Sequence, residues 1–400
     1  MSNVSSSNGL GKYPKLRFKG FFEPWNATVL SDTFKKNSKK NTNGSITNVI
    51  CNSAKNGLIP QREYFDKDIA NADNTDGYYI IEKDDFVYNP RKSTEAPYGP
   101  VSIYKYAEQG IVSPLYLCFR ALHPINAEFF DFYFKSTAWH RYIYLSGDSG
   151  ARHDRVSIRD DIFFAMPINL PSNEEQYKIS SLLTLIEKKI KAQAALVENL
   201  KKYKRGLLQR ILRHDNEWEE VSLSEVLFER KTYCEKDGTY EHATLSKEGV
   251  YGKTDRYDRD YLVMDEEKKY KITHFGDLCY NPANLKFGVI CLNTYGDAIF
   301  SPIYITFEIA DEYNKEFIGL LLTRADFINR ALKYQQGTVY ERMAVSPEDL
   351  LTMKIKVPPL ETQNRIAHIF TEWDALIKKN ESVLEGLQNG KKQLLNSLFI

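Results

Sequence analysis

Cysteine is scarce here and never paired in sequence. Cys51, Cys118, Cys234, Cys279 and Cys291 are scattered, with no CxxC and no His at ligand spacing. That excludes a disulfide scaffold, argues against a zinc site, and fits reduced, mostly buried thiols. An excess of one charge is missing too. Lys and Arg number 54 against 53 Asp and Glu, a formal charge of +1. Bulk charge therefore cannot hold nucleic acid, although local basic patches can. No apolar run approaches a membrane span, and the opening MSNVSSSNGL has no apolar signal core, so a cytoplasmic protein is expected. Catalytic signatures are absent as well: there is no GxxxxGK[ST] and no HExxH. An amino-methyltransferase needs Asn/Asp-Pro-Pro-aromatic near a glycine-rich loop. Here Asn89-Pro90 is followed by Arg91-Lys92, and Asn281-Pro282 by Ala283-Asn284. The YNP tripeptide reads instead as a strand stopped by a turn.

What is present is a repeat. At 400 residues the chain exceeds what one core usually supports. The stretch Pro171–Leu212 reads as one amphipathic helix with an apolar seam in steps of four and three: Ile179, Leu183, Ile186, Ile190, Gln193, Val197, Leu200, Lys204, Leu207, Ile211. Pro358–Phe399 repeats it with Ile366, Phe370, Trp373, Ile377, Asn380, Leu384, Leu387, Lys391, Leu394, Leu398. Both copies break the seam once with an amide and once with Lys. A period of 3.5 over about five heptads signals a coiled coil. Each helix opens after Pro with an acidic turn, Glu174 and Glu175 or Glu361, which suits the helix N-terminus.

The globular parts repeat as well. Trp25, Leu30, Ser31 and Asp32 match Trp218, Leu223, Ser224 and Glu225. DFVYNP (85–90) matches DLCYNP (277–282), and VSPLYLCFRA (112–121) matches FSPIYITFEI (300–309). Short β-rich runs at 77–81, 86–89, 101–106 and 113–119 precede a helical segment over about 127–144. A Gly-rich loop (146–155) and an apolar strand (162–168) then lead to Pro171. The order is globular–helix–globular–helix: 1–170, 171–212, 213–357, 358–400. The expected fold is α+β, with two pseudo-symmetric β-rich heads separated by two long helices in an antiparallel coiled coil. Gln193 and Asn380 would then face each other and fix the register. Lys204 and Lys391 would mark where the seam opens or meets a partner. A rod with a head at each end suits a partner with two sites at fixed separation, such as duplex DNA.

On these residues the chain resembles the specificity (S) subunit of type I restriction–modification systems. The features are the opening PKLRFKGF…W…LSD, the Trp-led start of each half, the DxxYNP turns, the Gly-rich loops, and P…EEQ or ETQ leading into each long helix. The resemblance covers essentially the whole chain. It implies two target-recognition domains that each read half of a bipartite, asymmetric double-stranded DNA target, with the helices setting the spacing. It further implies docking of two methyltransferase subunits and, in systems that have them, restriction/translocase subunits, in DNA methylation and host defence. No cofactor would be bound by this chain; S-adenosylmethionine, ATP and Mg would sit on partner subunits. The S subunit would contribute no catalytic group.

Base reading needs Arg, Lys, Asn or Gln on loops that reach the grooves. In the first head the candidates are Asn89, Arg91, Lys92 and nearby Tyr98, with Ser149, Gly150, Arg152, His153 and Arg155. In the second they are Lys247, Tyr251, Lys253, Arg256, Asn284 and Lys286, with Gln335, Gln336, Gly337, Thr338, Tyr340 and Arg342. Lys201, Lys202, Lys204, Arg205 and Arg210 form a basic helix end that either contacts DNA or a partner subunit, or is simply solvated. Two other functional classes compete. One is a coiled-coil scaffold whose heads bind protein, which the near-zero charge favours. The other is an enzyme, which the missing motifs disfavour.

Overall fold

The computed structural model describes residues 2–3, 13–64, 75–147, 154–212, 218–235, 238–253, 269–335 and 344–400. Contacts divide the chain into two units, Met1–Ala195 with Glu381–Ile400, and Leu196–Asn380. Each unit holds one head and a piece of both long helices.

Head 1 contains β1 (Asn26–Val29), β2 (Phe34–Lys36), β3 (Ile50–Ser53), β4 (Gly57–Pro60), β5 (Tyr79–Ile81), β6 (Phe86–Tyr88), β7 (Val101–Ile103), β8 (Gly110–Val112), β9 (Leu117–Ala121) and β10 (Pro167–Leu170). Its main sheet is antiparallel in the order β2-β9-β6-β7. β1 pairs with β10, β5 with β8, and β3 with β4 as a hairpin. The central strand β6 is apolar throughout because both its faces are covered. Phe86 and Tyr88 enter the large core with Trp25, Phe119 and Phe129, while Val87 enters a smaller one with Ile50, Ile81 and Val112.

Head 2 repeats this with β11 (Glu219–Ser222), β12 (Leu227–Glu229), β13 (Tyr233–Cys234), β14 (Glu241–Leu245), β15 (Val250–Gly252), β16 (Tyr270–Thr273), β17 (Leu278–Tyr280), β18 (Ile290–Leu292), β19 (Ala298–Phe300), β20 (Ile305–Ile309) and β21 (Lys354–Val357). The order β12-β20-β17-β18 reproduces the head 1 sheet, and β11–β21 reproduces β1–β10. The same alternation sends Leu278 and Tyr280 to one core and Cys279 to another. A second sheet, β13-β16-β19-β14-β15, contains the parallel pair β14–β19. The matched tryptophans pack alike. Trp25 meets Phe129 edge-on at 6.3 Å, and Trp218 meets Phe317 at 5.9 Å.

Two sequence expectations need correction. The helical segment over 127–144 is broken into α1 (Ala127–Lys135) and α2 (His140–Ser146). Ser136 stops α1, and the Trp139 indole N–H donates back to the Phe134 carbonyl at 2.9 Å. The run at 162–168 is not one strand. Residues Asp160–Phe164 form the short helix α3, and only Pro167–Leu170 is extended. Phe163 points into the core from a helical turn, so the apolar run carried no period that distinguishes the two forms.

The long helices are α4 (Asn173–Ile211) and α8 (Leu360–Leu398), separated by the head 2 helices α5 (Lys315–Leu322), α6 (Ala325–Ala331) and α7 (Pro347–Leu351). None of the seam residues of either long helix is exposed. In the first unit Ile179 and Leu183 share a core with Leu395, Leu398 and Phe399. In the second, Leu207, Leu208 and Ile211 pack on the core that holds Ile366, Ala367 and Phe370. The start of one helix meets the end of the other in both units, which makes the pairing antiparallel. Lys204 and Lys391 do not open the seam. Lys391 Nζ donates to Glu187 at 2.6 Å, and Lys204 Nζ donates to Asp374 at 2.5 Å. Glu187 and Asp374 are themselves repeat counterparts, so the two units use one ion pair in reciprocal form. Gln193 and Asn380 are each half-buried, and Asn380 Nδ2 donates to the Leu376 carbonyl of its own helix at 2.8 Å.

The EEQ and ETQ motifs are helix starts. Gln176 Nε2 donates to the Pro171 carbonyl at 3.1 Å and Gln363 Nε2 to the Pro358 carbonyl at 2.9 Å, tying each helix to the strand before it. Glu175 does more than face a helix dipole. It is buried and accepts two bonds from Arg17, each 2.8 Å.

Candidate nucleic-acid interface

The Asp of each DxxYNP motif is an anchor. Asp85 is fully buried and accepts from Arg120 Nε at 2.6 Å and Nη2 at 2.7 Å. Asp277 accepts from Arg230 Nε at 3.0 Å and Nη2 at 3.1 Å. The guanidinium comes from β9 in head 1 but from the residue after β12 in head 2. The carboxylate is kept and its partner has changed strands.

From this anchor β6 delivers the Asn-Pro turn. Asn89 Oδ1 accepts the Arg91 N–H at 3.0 Å, and Asn89 Nδ2 donates to the Asn52 carbonyl at 3.1 Å. Its side chain is thus spent on shaping the turn. Gly99, at φ +80°, closes the loop. A Cβ there would lie 2.1 Å from the Asn89 carbonyl oxygen, so no other residue fits. Beyond the turn, Arg91 and Arg155 are direct neighbours on an antiparallel bridge, with the Lys92 N–H bonded to the Asp154 carbonyl and the Val156 N–H to the Pro90 carbonyl, both at 2.8 Å.

These residues line a cleft of about 690 Å³ whose other wall is the β3–β4 hairpin. Four cations face it, Lys55, Arg91, Lys92 and Arg155, against one carboxylate, Glu95. Like charges directly opposite on paired strands repel. Arg155 Nε is buried without a hydrogen-bond partner among the described residues, and Asp154 stands 3.9 Å from it. Such a site is suited to a polyanion. The floor is Asn52, 4 % exposed, which donates to the Val87 carbonyl at 2.8 Å and accepts from Ser102 Oγ at 2.7 Å.

The structure therefore brings Asn89, Arg91, Lys92 and Arg155 together. Tyr98 does not line the cleft. Its ring packs on His140 at 4.8 Å and its carbonyl accepts from Tyr88 Oη. Burial lowers the pKa of His140, so the neutral ring is favoured there. Ser149, Gly150, Arg152, His153, Arg256, Gln336, Gly337, Thr338, Tyr340 and Arg342 lie outside the described residues. Lys55 and the hairpin wall escaped the sequence reading, although SAKNG between two β-rich runs is a hairpin signal.

In head 2 the equivalent turn is folded differently. Asn281 Oδ1 accepts from the Ala283 and Asn284 N–H groups at 3.1 and 3.3 Å and starts a 3-10 helix over Pro282–Phe287. Gly288, at φ +78°, ends it, and the Lys247 side chain lies over that glycine. Lys247 and Asn284 are thus brought to one surface, with Lys286 beside the Phe287 ring at 5.0 Å. Tyr251 is exposed on β15, the Lys253 N–H donates to the His242 carbonyl at 2.7 Å, and Gln335 follows the 3-10 turn Leu332–Tyr334.

Residues 215–388 match the family model for the type I restriction modification DNA specificity domain. Among solved structures, a chain from work on assembly and conformational transition of the type I R-M system is 14% identical, with TM-score 0.58 over 94% of this chain and 97% of its own. The type I restriction-modification S subunit from M. genitalium is 15% identical, with TM-score 0.55 over 97% and 99%. The HsdS subunit from Thermoanaerobacter tengcongensis is 14% identical, with TM-score 0.50 over 98% and 99%. This chain carries the fold of a type I specificity subunit. Head 2 lies in the matched stretch. Head 1 lies outside that match but repeats the main sheet of head 2 in the same strand order. No helix among the described residues is long and apolar enough to cross a membrane.

Proposed function

We propose that the chain is the DNA-recognition subunit of a type I restriction–modification assembly, with heads at 1–170 and 213–357 that each read one half of a split double-stranded target. The observation that carries this reading is the duplication. The main sheet of the stretch that matches a DNA specificity domain recurs in head 1 in the same strand order, and both units use the same reciprocal helix pairing. In head 1 the basic cleft supplies the phosphate and base contacts, through Lys55, Arg91, Lys92 and Arg155. In head 2 the surface of Lys247, Asn284 and Lys286 takes that role. The chain performs no chemistry. S-adenosylmethionine, ATP and Mg belong to methyltransferase and restriction subunits docked on it in the cytoplasm.

The test is co-expression with the partner methylase and single-molecule methylation mapping. The expected result is adenine methylation at one split motif. Exchange of residues 25–170 for another head should change one half of the motif and leave the other. Methylation without a split motif, or a motif indifferent to the exchange, overturns the proposal in favour of a protein-binding scaffold.

A further inference from the structure

Both heads expose one apolar side chain at the same place. The turn between β8 and β9 is Ser113-Pro114-Leu115-Tyr116, and the turn between β19 and β20 is Ser301-Pro302-Ile303-Tyr304. The Tyr116 N–H donates to the Ser113 carbonyl at 3.0 Å, and the Tyr304 N–H to the Ser301 carbonyl at 3.1 Å. Proline at the second position fixes φ, and the closing hydrogen bond holds the rest, so the third residue stands on a stiff base. That residue is Leu115, 59% exposed, or Ile303, 60% exposed.

The turn itself does not ask for an aliphatic residue. Neither position has positive φ, and polar residues are at home at the third position of such turns. The packing role falls to the following tyrosine. Tyr116 joins the small core with Ile50 and Val112, and Tyr304 lies edge-on to Phe300 at 5.4 Å. Leu115 lines the same cleft as Lys55, Arg91, Lys92 and Arg155. In head 2, Tyr304 shares its small cluster with Val289, which follows the glycine covered by Lys247. An aliphatic tip at the edge of a cationic surface matches a partner that is anionic outside and apolar within, as duplex DNA is.

Resting on the reading of the heads as DNA readers, we propose that Leu115 and Ile303 are specificity-determining contacts. Each meets the apolar surface of the bases in its own half-site, either a thymine methyl or the face of an opened base step, while the nearby cations hold phosphates. Burying one such side chain corresponds to roughly tenfold or more in recognition.

The experiment maps methylation motifs in cells that express the partner methylase with the intact chain, Leu115→Ala, Leu115→Gln or Ile303→Ala. The Leu115 variants should lower or relax methylation about tenfold at positions in one half of the motif only, and Ile303→Ala should do so in the other half. Unchanged melting of the purified variants shows that folding is intact, as the exposure of both residues requires. On duplexes with the wild-type motif, replacing thymine by uracil in the affected half separates the two base contacts. A loss with the wild-type chain but not with Leu115→Ala identifies the methyl group. Equal binding of both duplexes, with Leu115→Ala still weaker, identifies the base face. The inference is overturned if these variants keep the wild-type motif and methylation level, or if one variant alters both halves alike. A wild-type chain that gives no split motif overturns the proposed function itself.

Discussion

Glu187 is the residue whose replacement tests the coil most directly. Burial pushes its carboxyl up, but Lys135 and Lys391 outweigh that and hold it at about 2, against an ordinary 4.5. Lys135 reaches it at 3.2 Å and Lys391 at 2.6 Å. At about 1.4 kcal/mol per pH unit this displacement corresponds to about 3 kcal/mol. Glu187 is 25% exposed and Lys135 35%, so water screens part of this, and about 2 kcal/mol is the working figure. The sign follows from the depressed value. The stabilisation is complete above the unfolded value near 4.5 and is lost as pH falls through 4.5 toward 2. Glu187→Gln should therefore lower the unfolding free energy by about 2 kcal/mol at pH 7, and the gap to wild type should close as pH approaches 2. Denaturant titration across pH, with hydrogen exchange assigning the loss to the first unit, measures both. The counterpart Asp374 is 60% exposed, so Asp374→Asn should cost under about 1 kcal/mol. A gap that persists in acid, or equal losses at Glu187 and Asp374, refutes the reasoning from burial.

The buried Arg17–Glu175 pair makes a sharper prediction. Arg17→Met alone strands a carboxylate that is 1% exposed and should cost about 3–5 kcal/mol, while a double change to apolar residues should recover most of it; denaturant midpoints decide. Arg155→Ala and Arg91→Ala should each weaken duplex binding and reduce the salt slope by about one unit for every phosphate no longer neutralised, read by titrations at several salt concentrations. His140 has its pKa depressed by burial, so the stabilisation from its neutral ring is present above the ordinary 6.5 and declines as pH falls below it. Thermal melts of wild type between pH 8 and pH 5 should show this decline, and a His140→Gln variant should lack it.

The long helices were legible because their signal is periodic and repeated. Seam positions and helix limits follow from spacing that packing then enforces, and the antiparallel direction follows from the globular–helix–globular–helix order. The seam lysines were legible as positions but not as partners. Their carboxylates lie on the other helix, and no rule of spacing along one chain connects Glu187 to Lys391. The cleft was half legible for a related reason. Arg91 and Arg155 stood out as loop cations, but that they face each other depends on a β-bridge between residues far apart in sequence. Lys55 completes the wall only because Asn52 fastens the hairpin to the Val87 carbonyl. Asn89 was the opposite case. Its residue type suits adenine, yet its amide is consumed by the Arg91 N–H and the Asn52 carbonyl.

What the two heads keep and what they change separates scaffold from surface. Both keep the buried Asp at the start of the central strand, the Asn that shapes the following turn, the Trp–Phe contact, and the Gln that starts the long helix. They change the strand that supplies the anchoring Arg, and they fold the Asn-Pro turn into a bridged loop in one head and a 3-10 helix in the other. Stability holds the buried anchor and leaves the exposed turns above it free to diverge. A surface free to vary above a fixed anchor suits the proposed reading of two different half-sites. It also explains why an aliphatic residue retained at the tip of both SP(L/I)Y turns stands apart from its surroundings.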